Sequence, residues 1–455
     1  MTPHEPTLPS HGGSVVRTRA VRSMLGWRQP TVSAAPMAPH ELERALATIM
    51  PPAPPARRRR RRTLPWLPLV ILLLLAACEG RRGIVLWHAY QGTERDALVA
   101  TAATWNAEHP DQPLELVGVP YKAFADKLTS AIPGGNGPDL FIYPQDRIGD
   151  WADAGVIEPL EFWVDDARAD RFSGEAVAAM AYKGSLWGLP LAVESLVLYY
   201  RTDLVPQPPR TTDELIALAP AMRAKEGYAL AYSNRNLYGH APWLFGFGGT
   251  VFDDQGKLAI ATPEAAAAMA FARELVDREV APAHTDGSMV ATLFNERKAA
   301  TVISGPWFIS DIAEGVPWKI ATLPVVSATG RHATPFLGTE GILMSARAHD
   351  KGAAFAVMDA LTSDRAASAR AKQAGQVVPN VGVYNDPEIA SDPTLTVFRA
   401  QLEQSVPMPI TPAMRMVWTP YETALGEVIA GRVDPGAQLL ATEREITGYL
   451  AGMRK

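Results

Sequence analysis

The chain has 455 residues, 47% of them hydrophobic and 20% charged, with a formal net charge of −5. This composition excludes a chain that is disordered or fibrous throughout, and so small an imbalance over this length argues against a nucleic-acid surface. A single cysteine excludes an internal disulfide and makes a poor metal site.

Residues 1–56 are rich in Pro, Ala, Arg and His without sustained periodicity, which reads as disorder. Met50 opens "MPPAPPARRRRRR", and a start there gives an export signal of ordinary length. Residues 1–56 are therefore expected to be a start-site artefact, with a disordered cytosolic extension as the alternative. Six arginines, Arg57 to Arg62, then precede an apolar run from Leu64 to Ala77. A basic region, a short apolar region and small residues at the cut describe a secretory signal, here 57–77. The run of about 14 positions falls short of the roughly 20 that span a bilayer, and Pro65 and Pro68 interrupt it. An uncleaved transmembrane anchor is the competing reading. Leu75-Ala76-Ala77-Cys78 resembles the lipobox of bacterial lipoproteins, which implies cleavage before Cys78 and acylation of that residue. Several acyl chains at roughly 0.8 kcal/mol per buried methylene anchor a protein stably. The expectation is an exported body tethered to a bacterial membrane, facing the periplasm or the cell exterior.

The remaining chain is too long for one ordinary domain and fits two. "GIVLWHAY" reads as a buried strand. "GTERDALVATAATWNAEHP" reads as a helix capped by Thr93, with Asp96 at the capping-box position and Pro110 as its stop. "LELVGVP" and "KAFADKLTSAI" give a second strand and helix, and "GGNGPD" is a turn feeding a strand at Leu140 to Tyr143. The same grammar returns in "TPEAAAAMAFARELVDREV" (helix), "AATVISGPW" (strand into turn) and "AHDKGAAFAVMDALTSDRAASARAKQAG" (helix). Alternation of this kind implies α/β architecture, with parallel sheets flanked by helices and ligands beyond the carboxyl ends of strands.

Those ends carry His88-Ala89-Tyr90-Gln91-Gly92, Tyr143-Pro144-Gln145-Asp146-Arg147, Glu194, Asn236-Leu237-Tyr238, Gly305-Pro306-Trp307 and Val417-Trp418. Aromatic faces stack on the C–H face of a pyranose, and planar polar groups take hydroxyls in pairs. Each item has a plain structural alternative. A tryptophan after Gly-Pro is commonly core, and Asp146 beside Arg147 also reads as a surface pair at a helix start.

Order and spacing go further. "GPDLFIYPQDRIGDWADAGVIEPL", "YKGSLWGLPLAVESLVLYYRTDLVPQPPRT", "ATVISGPWFISD" and "MPITPAMRMVWTPYETAL" together resemble the maltose/maltodextrin-binding proteins of ABC importers, nearly throughout from Ile84 to Lys455. The resemblance implies a periplasmic-binding-protein fold of two α/β lobes, each a mostly parallel sheet flanked by helices, with sugar in the cleft between them. It assigns 83–192 and 342–388 to the first lobe, and 193–341 and 389–455 to the second. Crossovers fall near Ala192–Val197, Phe336–Gly341 and Val383–Pro393, and Gly338 to Gly341 suits a hinge. By the same resemblance Tyr143 faces the sugar and Asp146 and Arg147 bind its hydroxyls. Glu194 is the acidic residue of the first crossover, Tyr238 the second-lobe tyrosine, Trp307 and Trp418 the stacking tryptophans, and Met408 lies nearby. Three positions depart from the family: Gln91-Gly92 replaces an acidic-basic pair, Asn236 a glutamate and Glu422 an arginine. These changes alter the polar rim and leave the stacking platform.

The implied function is a solute-binding subunit that captures an α-linked gluco-oligosaccharide, maltose- or maltodextrin-like, with trehalose as an alternative. Its implied partners are ABC permease subunits with a cytosolic ATPase and the bilayer reached through Cys78; it is expected to be a monomer that binds no nucleic acid. No cofactor or metal is expected, since the nine histidines are scattered without ligand spacing and no G-x-S-x-G, H-E-x-x-H or Walker loop occurs. A surface adhesin or sensor without transport is one alternative. A glycosidase using Asp146, Glu194 or Glu422 is another, for which two acids must flank one bond at fixed separation.

Overall fold

The computed structural model describes residues 83–453. The readings made for 1–56, Met50, the signal and Cys78 lie outside the described residues. Among those described, no helix is long and apolar enough to cross a membrane.

Strand β1 (Ile84–His88) has all five residues buried, as suits an inner strand covered on both faces. Helix α1 (Gly92–Glu108) packs Ala97, Leu98, Ala102 and Trp105 inward. It does not start as expected. Gln91 holds the N-cap position with extended backbone and no side-chain cap, and the Thr93 hydroxyl lies 3.0 Å from Ser310 Oγ instead. A capping hydroxyl must stand just outside the helix, and Thr93 is already inside it.

β2 (Leu114–Gly118), α2 (Tyr121–Ala131) and β3 (Leu140–Pro144) follow, and β1 pairs in parallel with both β2 and β3. In the turn before β3, the buried Asp139 carboxylate accepts the Val85 N–H at 2.9 Å and the His349 N–H at 3.0 Å. It thereby joins β1 to the returning chain. The short helix α3 (Ile148–Asp153) closes this stretch, and β4 (Gly188–Glu194) leads out of it.

The second sheet has strand order β8-β5-β7-β6, with β5 (Val197–Arg201), β6 (Tyr228–Tyr232), β7 (Ala299–Ser304) and β8 (Trp318–Ala321). Helices α4 (Leu237–Gly246) and α5 (Pro263–Asp277) link β6 to β7. This linkage gives the one parallel pair of the sheet, β6 with β7, while β5 runs antiparallel to both its neighbours. The mostly parallel pairing expected here is therefore confined to β6 and β7. β5 arrives straight from β4, and that passage sets its direction in place of a βαβ unit.

β9 (Phe336–Met344) returns to the first sheet, antiparallel to β3 on one side and β4 on the other, with a register shift between Glu340 and Gly341. A side chain on Gly341 would collide with the Met180 sulphur. The helix expected over "AHDKG…KQAG" is two, α6 (Lys351–Leu361) and α7 (Asp364–Ala374). Thr362 turns its hydroxyl onto the Met358 carbonyl at 2.8 Å, and the Ser363 hydroxyl accepts the Ala366 N–H at 3.3 Å. Such side chains compete with the helical ladder and favour a break. β10 (Val406–Pro407), α8 (Pro412–Ile429) and α9 (Pro435–Met453) complete the described chain, and β10 pairs with the start of β9.

Separate cores follow from this topology. Leu86, Leu98, Leu140, Ile142 and Met358 pack on one face of the first sheet, and Phe124, Phe141 and Trp151 on the other. Leu230, Trp243 and Leu275 pack against the second sheet, and Leu244, Met269, Tyr421 and Leu439 join its outer helices. The protein is a two-lobed α/β structure with β4 and β9 passing between the lobes.

Candidate functional site

The two lobes touch at two edges. At one edge, a Cβ on Gly92 (φ 50°) would lie 2.5 Å from that of Ser310. At the other, a Cβ on Gly149 would lie 2.5 Å from the Ile410 carbonyl, and Arg415 of α8 reaches Asp150 of α3 at 2.9 Å.

On the first-lobe side, Tyr143 ends β3 and is buried between Trp151, edge-on at 5.0 Å, and Tyr121, stacked at 5.8 Å. Asp146 follows in a single turn of 3-10 helix. Burial raises its carboxyl to about 6, against the pull of neighbouring Arg147. Its Oδ1 is buried without a hydrogen-bond partner in the protein, and Oδ2 is 4.0 Å from Arg147 Nε. A buried acceptor left open is costly unless something fills it. Gln145, beside it, is committed to structure: its amide accepts the Thr339 N–H at 2.6 Å and donates to the Leu337 carbonyl at 3.3 Å.

On the second-lobe side, Trp307 is 36% exposed and lies flat over Gly305, where a Cβ would strike the indole. Tyr238 stands 6.3 Å from Trp307 and stacks at 6.1 Å on Phe336, which in turn is 6.3 Å from Trp418. The rings form one aromatic cluster in which Phe336 and Met408 are buried and Tyr238, Trp418 and Trp307 keep partial exposure. Asn236 caps α4, its Oδ1 accepting the Gly239 N–H at 2.6 Å. Glu422 accepts the Leu237 N–H at 3.4 Å at the same helix start, and burial raises its carboxyl. The structure thus spends the side chain of Asn236 on a cap and one oxygen of Glu422 on a helix N-terminus. Gln91 is exposed at the start of α1.

Between the lobes, β4 and β9 set Glu194 opposite Gly338 and Glu340 opposite Ala192, so both carboxylates leave the same face. Burial raises Glu340 to about 8, with Glu94 adding repulsion; the Tyr90 hydroxyl donates to its Oε2 at 2.6 Å and pulls the other way. Glu194 is raised well above the usual range by burial, then by Glu340 and Glu94. Glu94 itself is buried in the first turn of α1 and accepts from Gln376 Nε2 at 3.2 Å.

Among the residues singled out, Tyr143, Asp146, Arg147 and Glu194 meet at the ends of β3 and β4, and Tyr238, Trp307, Trp418 and Met408 share the second-lobe cluster. Tyr121, which stacks on Tyr143, and Glu94 and Glu340, which repel Glu194, were not singled out from the sequence. Tyr90 stood among the strand-end residues and Glu340 in the hinge stretch. Tyr121, between Pro120 and Lys122, gave no signal, since a lone exposed tyrosine at a helix start reads as surface.

An aromatic cluster in one lobe with carboxylate and guanidinium groups in the other suits a neutral polyhydroxylated ligand. Comparison with known proteins agrees with that geometry. The maltotriose-binding protein of Pyrococcus abyssi (strain GE5 / Orsay) is 30% identical over 357 residues, spanning 77% of this chain and 78% of that protein. A maltooligosaccharide ABC transporter solute-binding lipoprotein of Streptococcus pneumoniae (strain ATCC BAA-255 / R6) is 26% identical over 323 residues, 68% of this chain and 75% of that one. The structure of the Thermus thermophilus maltotriose binding protein with maltotriose superposes with a TM-score of 0.76 at 27% identity, covering 81% of this chain and all of that one. With residues 91–368 matching its sequence pattern, this chain belongs to the bacterial extracellular solute-binding protein family.

Proposed function

We propose that this protein is the ligand-capturing subunit of an ABC sugar importer and takes an α-linked gluco-oligosaccharide of the maltodextrin type between its lobes. One observation carries this reading. In one lobe Trp307, Tyr238 and Trp418 cluster about the buried ring of Phe336, and in the other the Asp146 Oδ1 has no partner in the protein. The cluster covers pyranose C–H faces while Asp146 and Arg147 accept and donate to hydroxyls, and the ligand completes an acceptor the fold leaves open. Sugar touching both lobes favours the closed form by its differential affinity alone. The relatives' names, maltotriose- and maltooligosaccharide-binding, support the same ligand class.

The proposal extends to the rest of the assembly. The lobes divide as 83–192 with 342–388 and 193–341 with 389–455. Acylated Cys78 holds the protein to the membrane, and the liganded monomer docks on a permease driven by a cytosolic ATPase. Intrinsic tryptophan fluorescence and calorimetry against maltose, maltotriose, trehalose, sucrose, a galactooligosaccharide and monosaccharides test the ligand. The expected result is a saturable response to maltotriose with the sugar recovered intact. Silence across the panel, or shorter products in the recovered sugar, overturns the reading.

A further inference from the structure

Asp150 lies outside the set of groups assigned to the sugar, yet it sits where the two lobes meet. One of its oxygens, Oδ2, receives two guanidinium groups: Arg147 Nη1 from its own lobe at 3.4 Å and Arg415 Nη1 from α8 of the other lobe at 2.9 Å. The Asp150 side chain is only 11% exposed, against 46% for that of Arg415. Gly149 lets this happen, since the approach of its backbone to Ile410 and Pro412 leaves no room for a side chain. Arg415 is three residues before Trp418 on α8, so the ion pair and the stacking ring share one helix face. At the opposite edge the lobes meet through the neutral hydroxyls of Thr93 and Ser310, 3.0 Å apart.

We propose that Asp150 is a positioning residue that links lobe closure to the orientation of Arg147, through an ion pair with Arg415 that only the closed form makes. The assignment rests on the reading of Arg147 as a sugar contact. When the lobes part, Asp150 loses Arg415 and holds Arg147 alone. When they close, Arg415 shares the same oxygen, and the remaining N–H groups of Arg147 turn to the ligand. The sugar is uncharged, so its own contacts are nearly insensitive to ionic strength, whereas the pair that forms on closure is screened by salt. Affinity for a neutral sugar should then depend on salt.

The experiment measures maltotriose affinity of the intact chain at about 20 mM and about 500 mM salt, for wild type, Arg415→Gln, Asp150→Asn and the double variant. Scattering of the same four proteins without sugar is measured alongside. Wild-type affinity should weaken by about twofold to fivefold at high salt. Arg415→Gln should bind about threefold to tenfold more weakly at low salt and lose the salt dependence. Asp150→Asn should bind more weakly still, and the double variant no worse than Asp150→Asn alone, because both act through one contact. Both single variants should be more expanded than wild type at low salt, because the pair holds a fraction of the sugar-free molecules closed and sugar closes the rest. Additive losses, or a salt response that survives Arg415→Gln, overturn the proposal. If wild type binds no sugar, the functional reading and the role of Arg147 fall together. Scattering then decides the ion pair by itself, and equal radii for wild type and Arg415→Gln remove it too.

Discussion

Trp418 separates a sugar platform from a core residue. It is partly buried against Phe336 and Met408. Covering an indole face contributes roughly 1.5–3 kcal/mol by area, about 10- to 150-fold in dissociation constant. Trp418→Ala should weaken maltotriose at least about tenfold and leave the ligand-free melting temperature nearly unchanged. A core role predicts the reverse, a stability loss of roughly 3–5 kcal/mol with normal binding, and calorimetry with thermal melts tells them apart. The buried acids make a second statement, on pH. Asp146 is raised to about 6 and Glu340 to about 8. Between the ordinary carboxylate range and those values the fold keeps protons that the unfolded chain has released. Stability therefore falls as pH rises through that window and levels off above it. The ligand-free protein should melt lower at about pH 8.5 than at about pH 5.5, and Glu340→Gln should flatten the slope. Tyr143, Asp146, Asn236 and Trp307 could be singled out from sequence because each lies at or just after a strand, whereas Trp418, expected at a strand end, stands inside α8. Glu340 could not be placed, because its role comes from β9 lying beside β3 and β4, pairings nearly 200 and about 150 residues away in the chain.

Strands were the legible elements. Apolar runs such as "GIVLWHAY" and "AATVISGPW" contain β1 and β7, since burial on both faces demands that pattern. Helix ends were less so. Thr93 looked like a cap and is not, since tertiary contact with Ser310 claims its hydroxyl. The break between α6 and α7 was hidden in a run with continuous helical periodicity, although Thr362 and Ser363 mark it. The Ser363 cap carries its own test: Ser363→Ala should cost about 0.5–2 kcal/mol of stability, read from urea unfolding, with sugar affinity unaltered. A loss below the noise would mean that packing of Ala366, Ala367 and Ala371 alone defines the start of α7.

At the scale of the whole molecule, we propose that β4, β9 and the passage near Val383–Pro393 carry closure. β9 is hydrogen-bonded on both sides through Gly341, and its register slips between Glu340 and Gly341. Rotation there is confined to the few residues between the end of the β3 pairing at Glu340 and the start of β10 pairing at Leu337. Small-angle scattering should give a smaller radius of gyration with saturating maltotriose than without. An unchanged radius, in a protein that binds the sugar, would mean that the lobes are already shut before ligand arrives.

The same strand governs the order in which the chain can fold. β9 covers one edge of β3, yet it is made only after all of β5, β6, β7 and β8. The second sheet and the core on one of its faces, Leu196 to Ala333, are contiguous in sequence, while its other face waits for Ala367 to Phe398. The segment made first has to wait, its sheet unfinished until residue 344 is available, and closing so long a loop is slow. A newborn chain of this topology keeps its leading end incomplete through most of its synthesis.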